Sequence, residues 1–150
     1  MKNNNKNYGE HTELNLKVLI TLSRSTQAVR KKEIRTIKEG GLTVAQFAVL
    51  EALYHKGDMR ICEIIEKVLS TGGNMTVVIE NLLKDGLVSK CPDENDRRVS
   101  LIHLTEKGNA LIEKIFPKHL ENINEIFDVL TTEDKINLIN LFKKLSGVEK

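Results

Sequence analysis

The residues best suited to chemistry lie in the middle of the chain and carry cationic, amide and hydroxyl groups. Two adjacent arginines, Arg97 and Arg98, follow Asp96 in a polar stretch. Guanidinium groups donate hydrogen bonds in a rigid fork that suits phosphate oxygens and base edges. Earlier in the chain, Asn74 and Thr76 precede the apolar Val77. An amide, a hydroxyl and a methyl-bearing side chain match the hydrogen-bonding groups and thymine methyls that a DNA major groove presents.

A helix-turn-helix pattern positions these residues. The apolar spacing predicts a helix over residues 61 to about 69 and a second helix, MTVVIENLLKD, that stops at Gly86. A short turn holds two such helices at a steep angle, so the second can enter a major groove. The inward side chains of the second helix, at spacings of three and four, are Met75, Val78, Ile79 and Leu82. Its outward positions are Gly73, Asn74, Thr76, Val77, Glu80, Asn81 and Lys84.

A β-hairpin is predicted directly after the second helix. Residues 87–91 and 99–104 have the composition of paired strands, with the polar tip PDENDRR between them. This hairpin, the wing, would carry Arg97 and Arg98 to one side of the second helix, which we call the recognition helix. A minor groove and its phosphates lie on that side. A solvated turn is the alternative for two adjacent arginines. The preceding helix-turn-helix and Asp96 favour contact with DNA.

Long amphipathic helices flank this segment. One is predicted over residues 10–38, and another over residues 106 to about 130, interrupted by Pro117. Thr131 or Thr132 is predicted to cap a last helix. The apolar positions of the first and last helices include Leu14, Leu16, Val18, Leu19, Ile20, Leu22, Val29, Ile136, Ile139, Phe142 and Leu145. These faces exceed what a small winged module buries, which predicts a helical dimer interface.

The inner helices supply the predicted core. Thr43 and Gln46 match the capping box that satisfies the free amides at the start of a helix, and Gly57 marks the end of that helix. The side chains expected inside are Phe47, Leu50, Leu53, Ile64, Ile65 and Val68.

The predicted fold class is mainly α with a small β-hairpin wing, a winged helix-turn-helix flanked by N- and C-terminal dimerisation helices. We expect a single domain over residues 1–150. Its expected parts are dimerisation helices at about 10–38 and 106–147, and a winged helix-turn-helix at about 42–104 with the helix-turn-helix at 61–84.

The composition bounds the class of protein. A chain of 150 residues, 40% hydrophobic and 29% charged, suits one globular domain. No apolar run approaches the ~18 residues of a membrane span, and the polar start lacks the apolar stretch of a secretory signal. These features predict a cytoplasmic protein without a membrane partner.

Residues 42–108 hold eight Lys or Arg and ten Asp or Glu, a net charge of −2. Attraction to DNA must therefore be local, from Lys84, Lys90, Arg97 and Arg98.

The remaining reactive residues predict no catalytic or metal site. Cys62 and Cys91 have no metal-ligand spacing, the histidines are scattered, and no nucleotide-binding or nucleophile motif is present in the sequence. We therefore expect no enzyme, metal or cofactor. Cys62 is expected to pack as a small apolar group. Cys91 is a candidate redox sensor, because the neighbouring Lys90 would lower the pKa of its thiol.

The chain resembles the MarR family of bacterial transcription regulators from about residue 12 to 148. The resemblance is carried by the helix-turn-helix EIIEKVLSTGGNMTVVIENLLKDGLV, the wing DENDRR and the following LIHLTEKG. It implies a homodimer with one recognition helix per subunit in successive major grooves of a palindromic site. The D-x-R wing pattern of the family falls on Asp96, which supports Arg98 in the minor groove, with Arg97 as a phosphate partner.

The sequence departs from the family where many relatives carry arginine in the recognition helix, at the positions of Val77 and Asn81. Because arginine makes the bidentate contact to guanine, its absence predicts an A·T-rich operator. The resemblance further implies a repressor released by a small aromatic molecule. The alternatives are a thiol-based redox-sensing regulator that uses Cys91 or Cys62 and a winged-helix protein-interaction module without DNA binding.

Overall fold

The structure, a computed structural model, describes residues 7–68, 75–93 and 100–147. Its elements in chain order are α1 (Glu10–Glu39), α2 (Val44–Lys56), β1 (Met59–Arg60), α3 (Ile61–Val68), α4 (Met75–Lys84), β2 (Val88–Pro92), β3 (Ser100–Leu104), α5 (Glu106–Phe127) and α6 (Thr132–Ser146). The chain divides into two compact units, residues 1–32 and 33–150. The mainly helical fold with a small antiparallel sheet confirms the predicted mainly α class with a small β wing.

Side-chain caps begin two of the helices as the sequence predicts. At the start of α2, the Gln46 N–H donates to Thr43 Oγ1 (3.2 Å) and the Thr43 N–H donates to Gln46 Oε1 (2.9 Å). At α6 the cap is Thr131, whose side chain and backbone N–H donate to Asp134 Oδ2 at 2.7 and 3.0 Å. These two hydrogen bonds lower the pKa of Asp134 because they stabilise its charged form. Both helix starts are therefore defined by short-range sequence patterns.

The core of residues 33–150 lies between the inner helices and the sheet. Its largest fully buried side chains are Ile37, Val49, Leu50, Ile64, Ile79, Leu82, Ile102 and Ile112. Burying one such side chain contributes roughly 1.5–3 kcal/mol. Leu82 on α4 and Ile102 on β3 belong to the same cluster, so the recognition helix and the wing share one core.

Among the described residues the sheet has three strands, one more than the predicted hairpin. β3 lies between β1 and β2, and Met59 and Arg60 of β1 pair with Ile102 and Leu101. A strand of two residues is too short to show an alternating pattern, which is why the sequence did not predict it. The added strand ties the start of α3 to the base of the wing.

Two residues of α3 that the sequence predicts to be buried are exposed. Ile64 is fully buried, whereas Ile65 is 45% exposed and Cys62 is exposed. Successive helical residues are separated by 100°, so a helix of one buried stripe cannot bury positions 64, 65 and 62 together. The predictions of a buried Ile65 and a buried Cys62 are wrong.

Helix α5 continues through Pro117 and ends at Phe127. The predicted long helix is present, and Pro117 lies inside it without ending it, although a proline removes one backbone hydrogen bond. None of the helices in the described ranges has both the length and the apolar character that crossing a bilayer requires.

Candidate nucleic-acid interface

The outward face of α4 presents the residues that the helical spacing places there. Thr76, Glu80, Asn81 and Lys84 are exposed, and the Val77 side chain is 43% exposed. The opposite face of the helix is buried through Met75, Ile79 and Leu82. This confirms the predicted orientation of α4. Of the predicted DNA-contacting residues, Gly73 and Asn74 lie outside the described residues.

The described face of α4 has little net charge. Glu80 and Lys84 offset each other, and the remaining exposed side chains are the hydroxyl of Thr76, the methyls of Val77 and the amide of Asn81. Such a face can make hydrogen bonds and van der Waals contacts with base edges. It supplies little of the phosphate attraction on which affinity depends.

The base of the wing is a regular antiparallel ladder. β2 pairs with β3 from Val88↔Leu104 to Pro92↔Ser100. Asp96, Arg97 and Arg98, which the sequence assigns to the tip, lie outside the described residues. The described ladder ends on both strands immediately beside that tip, so it sets where the tip begins and returns.

An ion pair, which the sequence did not predict, connects the wing to the start of α3. Arg60 Nη2 donates to Asp93 Oδ2 at 2.8 Å, and Asp93 is only 7% exposed. The hydrogen bond and the charge of Asp93 raise the pKa of Arg60 further above its ordinary value. The Arg60 backbone N–H donates to Glu63 Oε2 at 2.8 Å, which caps α3 without a Ser or Thr. Arg60 and Asp93 are too far apart in the chain for a local sequence pattern to reveal their ion pair.

Asp58 holds a second contact to the wing. Its Oδ1 lies 2.7 Å from Nδ1 of His103 on β3, and its Oδ2 lies 3.9 Å from Sγ of Cys91 on β2. The turn after α2 is therefore joined to both wing strands by one carboxylate.

The environment of Cys91 contradicts the predicted activation by a cation. Burial raises the pKa of its thiol, and the negative charges of Asp58 and Asp93, together with the hydrogen bond to Asp58, raise it further. Lys90 does not contribute because its side chain is exposed on the opposite side of the strand. A raised pKa keeps the thiol protonated near neutral pH, which disfavours a thiolate sensor at this position.

Thr105 joins the end of the recognition-helix segment to the start of α5. Its backbone N–H donates to the carbonyl oxygen of Leu87 at 3.2 Å, and its hydroxyl lies 2.8 Å from the carbonyl oxygen of Gly86. The same hydroxyl accepts from the Gly108 N–H at 3.1 Å, which caps α5. One residue thus satisfies free backbone groups on both elements.

Lys107 adds a second connection, because its Nζ donates to the carbonyl oxygen of Asp85 at 2.7 Å. A cation at the last turn of a helix is favoured by the helix dipole. Gly108 faces the carbonyl oxygen of Leu87 so closely that a Cβ there would overlap it. The segment L-T-E-K-G therefore fastens α5 to the C-terminal end of α4.

Taken together, a helix-turn-helix, an exposed recognition face and an anchored wing define a winged helix-turn-helix protein. A family model described as transcriptional regulator SarA/Rot matches residues 31–115. The chain is 37% identical over 134 residues to the HTH-type transcriptional regulator MhqR of Bacillus subtilis, covering 89% of this chain and 92% of that protein.

Solved structures agree with this class. The structure of Bordetella bronchiseptica BpsR superposes with a TM-score of 0.76 at 29% identity, covering 88% of this chain and 94% of that one. AbsC, a MarR-family transcriptional regulator from Streptomyces coelicolor, shares the fold with a TM-score of 0.81, covering 95% of this chain and 97% of that one at 21% identity. The chain belongs to the SarA/Rot family of transcriptional regulators, and its fold is that of MarR-family winged helix-turn-helix proteins. It is a DNA-binding transcriptional regulator, and the relatives are named as regulators and not as enzymes.

Proposed function

We propose that the protein is a homodimeric repressor that binds a palindromic, A·T-rich operator and is released by a small aromatic effector. The observation that carries this proposal is the outward face of α4, where Thr76, Val77 and Asn81 are exposed and uncharged. Within such a face Val77 contacts thymine methyls, while hydroxyl and amide groups bond to base edges. Gly73 and Asn74 are further proposed DNA contacts just before this helix in the sequence, and Lys84 contacts a phosphate.

Selection of binding sites from random double-stranded DNA at low salt tests the operator. We expect a palindromic consensus rich in A·T pairs, with half-sites about one helical turn, ~34 Å, apart. The reason is that no arginine on α4 is available for the bidentate contact to guanine. A G·C-rich consensus beneath the recognition helix contradicts this expectation. Failure to enrich any sequence supports instead a winged-helix protein-interaction module.

Arg98 is proposed to enter the minor groove beside the recognition helix, supported by Asp96, with Arg97 on a phosphate. The variant Arg98→Ala is expected to weaken operator binding by about tenfold and to reduce the salt dependence by about one unit of slope. Fluorescence anisotropy over a series of salt concentrations measures both quantities. Lys90→Ala, which removes a cation from the described part of the wing, is the comparison variant. A slope unchanged in Arg98→Ala removes that residue from the interface.

The support for a homodimer is the unburied apolar surface of the outer helices. No residue of α6 is buried, and exposed side chains on it include Ile136, Ile139, Phe142 and Leu145. Within residues 10–32, Leu14, Val18 and Leu19 are also exposed. Exposed apolar surface of this extent favours association, and a second copy provides the second recognition helix that a palindrome requires.

The effector proposal rests on relatives and on energetics. BpsR is a regulator whose DNA binding is regulated by 6-hydroxynicotinic acid, which is a small aromatic acid. An effector of this kind releases DNA only when it binds the DNA-incompetent conformation more tightly. Because the two recognition helices must stay about one helical turn apart, a change in their separation lowers operator affinity. A dimer covering both half-sites excludes other proteins from them, which is the basis for proposing repression.

A further inference from the structure

The Arg60–Asp93 ion pair has a geometry suited to positioning the wing. Asp93 directly follows β2 and is 7% exposed, so its carboxylate lies where an unpaired charge is costly. Arg60 Nη2 lies 2.8 Å from Asp93 Oδ2 and supplies the compensating charge. Asp93 is therefore held at one point on the protein.

Arg60 is itself fixed by the backbone on either side. It pairs with Leu101 across β1 and β3, and its N–H donates to Glu63 Oε2 at 2.8 Å. Its guanidinium therefore extends from a backbone shared by the sheet and the start of α3. The Arg60–Asp93 ion pair therefore joins the start of the helix-turn-helix to the wing through a short, charge-assisted hydrogen bond.

We propose that Arg60 and Asp93 are positioning residues that set Arg97 and Arg98 for contact with DNA, without touching DNA themselves. This rests on the proposed function, in which the wing arginines bind DNA. Asp93 is covalently followed by residues 94–99, so the point at which it is anchored determines where that segment starts. Release of Asp93 from Arg60 adds freedom to Asp93 itself, at the end of β2, and restricting that freedom on DNA then costs conformational entropy.

Charge and position predict opposite results for one substitution. Asp93→Asn removes a negative charge close to the DNA-binding surface, which by electrostatics alone strengthens binding to a polyanion. The same substitution removes the charge-assisted partner of Arg60, which by positioning weakens binding. Asp85→Asn is the matched control, because Asp85 is an exposed acid near the C-terminal end of α4 and only its backbone carbonyl is bonded to Lys107.

The test measures operator affinity of the full-length chain for Asp93→Asn in two backgrounds. In the native background we expect about a tenfold loss, while Asp85→Asn binds as tightly as the native protein or more tightly. In a background of Arg97→Ala with Arg98→Ala, we expect Asp93→Asn to produce little further loss, because its effect acts through those arginines. A merely structural role gives equal losses in both backgrounds and overturns the proposal.

Two further measurements keep the outcomes distinct. The charge reversal Arg60→Asp combined with Asp93→Arg is expected to recover affinity lost in either single variant, and absence of any recovery overturns the pair.

If the Arg97→Ala, Arg98→Ala background alone retains native affinity and salt slope, the proposed wing contact fails and the positioning role fails with it. If that background loses affinity but Asp93→Asn binds as tightly as Asp85→Asn, the wing contact stands and only the positioning role is overturned. Urea unfolding of each variant checks that the comparison is made on folded protein.

Discussion

Replacement of Gly108 with alanine is expected to lower the free energy of unfolding by about 3 kcal/mol. The added Cβ would overlap the carbonyl oxygen of Leu87 and lie 2.9 Å from Leu104 Cδ1. The carbonyl cannot easily retreat, because it accepts from the Thr105 N–H at 3.2 Å. Gly108 lies in the first turn of α5, so alanine gains there at most the helix propensity of about 1 kcal/mol that it gains over glycine in a helix interior. The overlap with a backbone atom outweighs that gain.

Urea unfolding followed by circular dichroism measures the change in stability at constant m value. The matched control is Gly40→Ala, whose added Cβ meets side-chain atoms of Ile115 at its closest approach. Ile115 is buried, but its side chain can repack where a hydrogen-bonded backbone carbonyl cannot, so we expect a smaller loss there, about 1 kcal/mol. Equal losses at the two glycines would mean that the Leu87 carbonyl moves as readily as the Ile115 side chain.

The Gly108 contact also bears on how the DNA-binding element is held. Close packing of α5 against Leu87, with Lys107 bonded to the carbonyl of Asp85, leaves little freedom between α4 and α5. A displacement of α5 is therefore transmitted to the C-terminal end of the recognition helix. In the L-T-E-K-G segment, the threonine, the lysine and the glycine each make a separate contact across that junction.

Local features of the fold followed from the sequence because their physical causes are local. The capping box at Thr43 and Gln46 spans only one helical turn, and the inward and outward faces of α4 follow from its 3.6-residue period. The hairpin was predicted because its strands are adjacent in the chain. Each of these features can be inferred without knowing which distant segments meet.

Features that depend on distant segments were missed or wrongly predicted. The β1 strand acquires its identity only by pairing with β3, and Arg60 meets Asp93 only after the sheet has formed. For Cys91, the sequence neighbour Lys90 suggested a lowered thiol pKa. The spatial neighbour Asp58 instead helps to raise it. Charges that are adjacent in a strand point to opposite faces, so sequence proximity misjudges their electrostatic effect.

The apolar face of α6 yields the prediction with the largest functional effect. Phe142→Glu is expected to convert the proposed dimer to a monomer and to lower operator affinity on the order of a hundredfold or more, because a monomer loses bivalent binding. Phe142 is 45% exposed and lies on a helix without a buried residue. An introduced carboxylate must therefore stay hydrated in the monomer but lose its water within an apolar dimer interface.

Light scattering coupled to size-exclusion chromatography, together with operator binding, measures both effects. Asn137→Glu adds the same charge at an exposed position on the side of α6 away from that apolar face, and it is expected to leave the dimer intact. Phe142 contributes little to the fold of one subunit. The urea midpoint of an isolated monomer should therefore change little, whereas the affinity for DNA should fall strongly. A Phe142→Glu protein that remains dimeric and binds the operator normally would show that α6 does not form the subunit interface. The exposed residues of that helix would then require another partner, since apolar side chains gain stability from an exposed helix face only when something covers them.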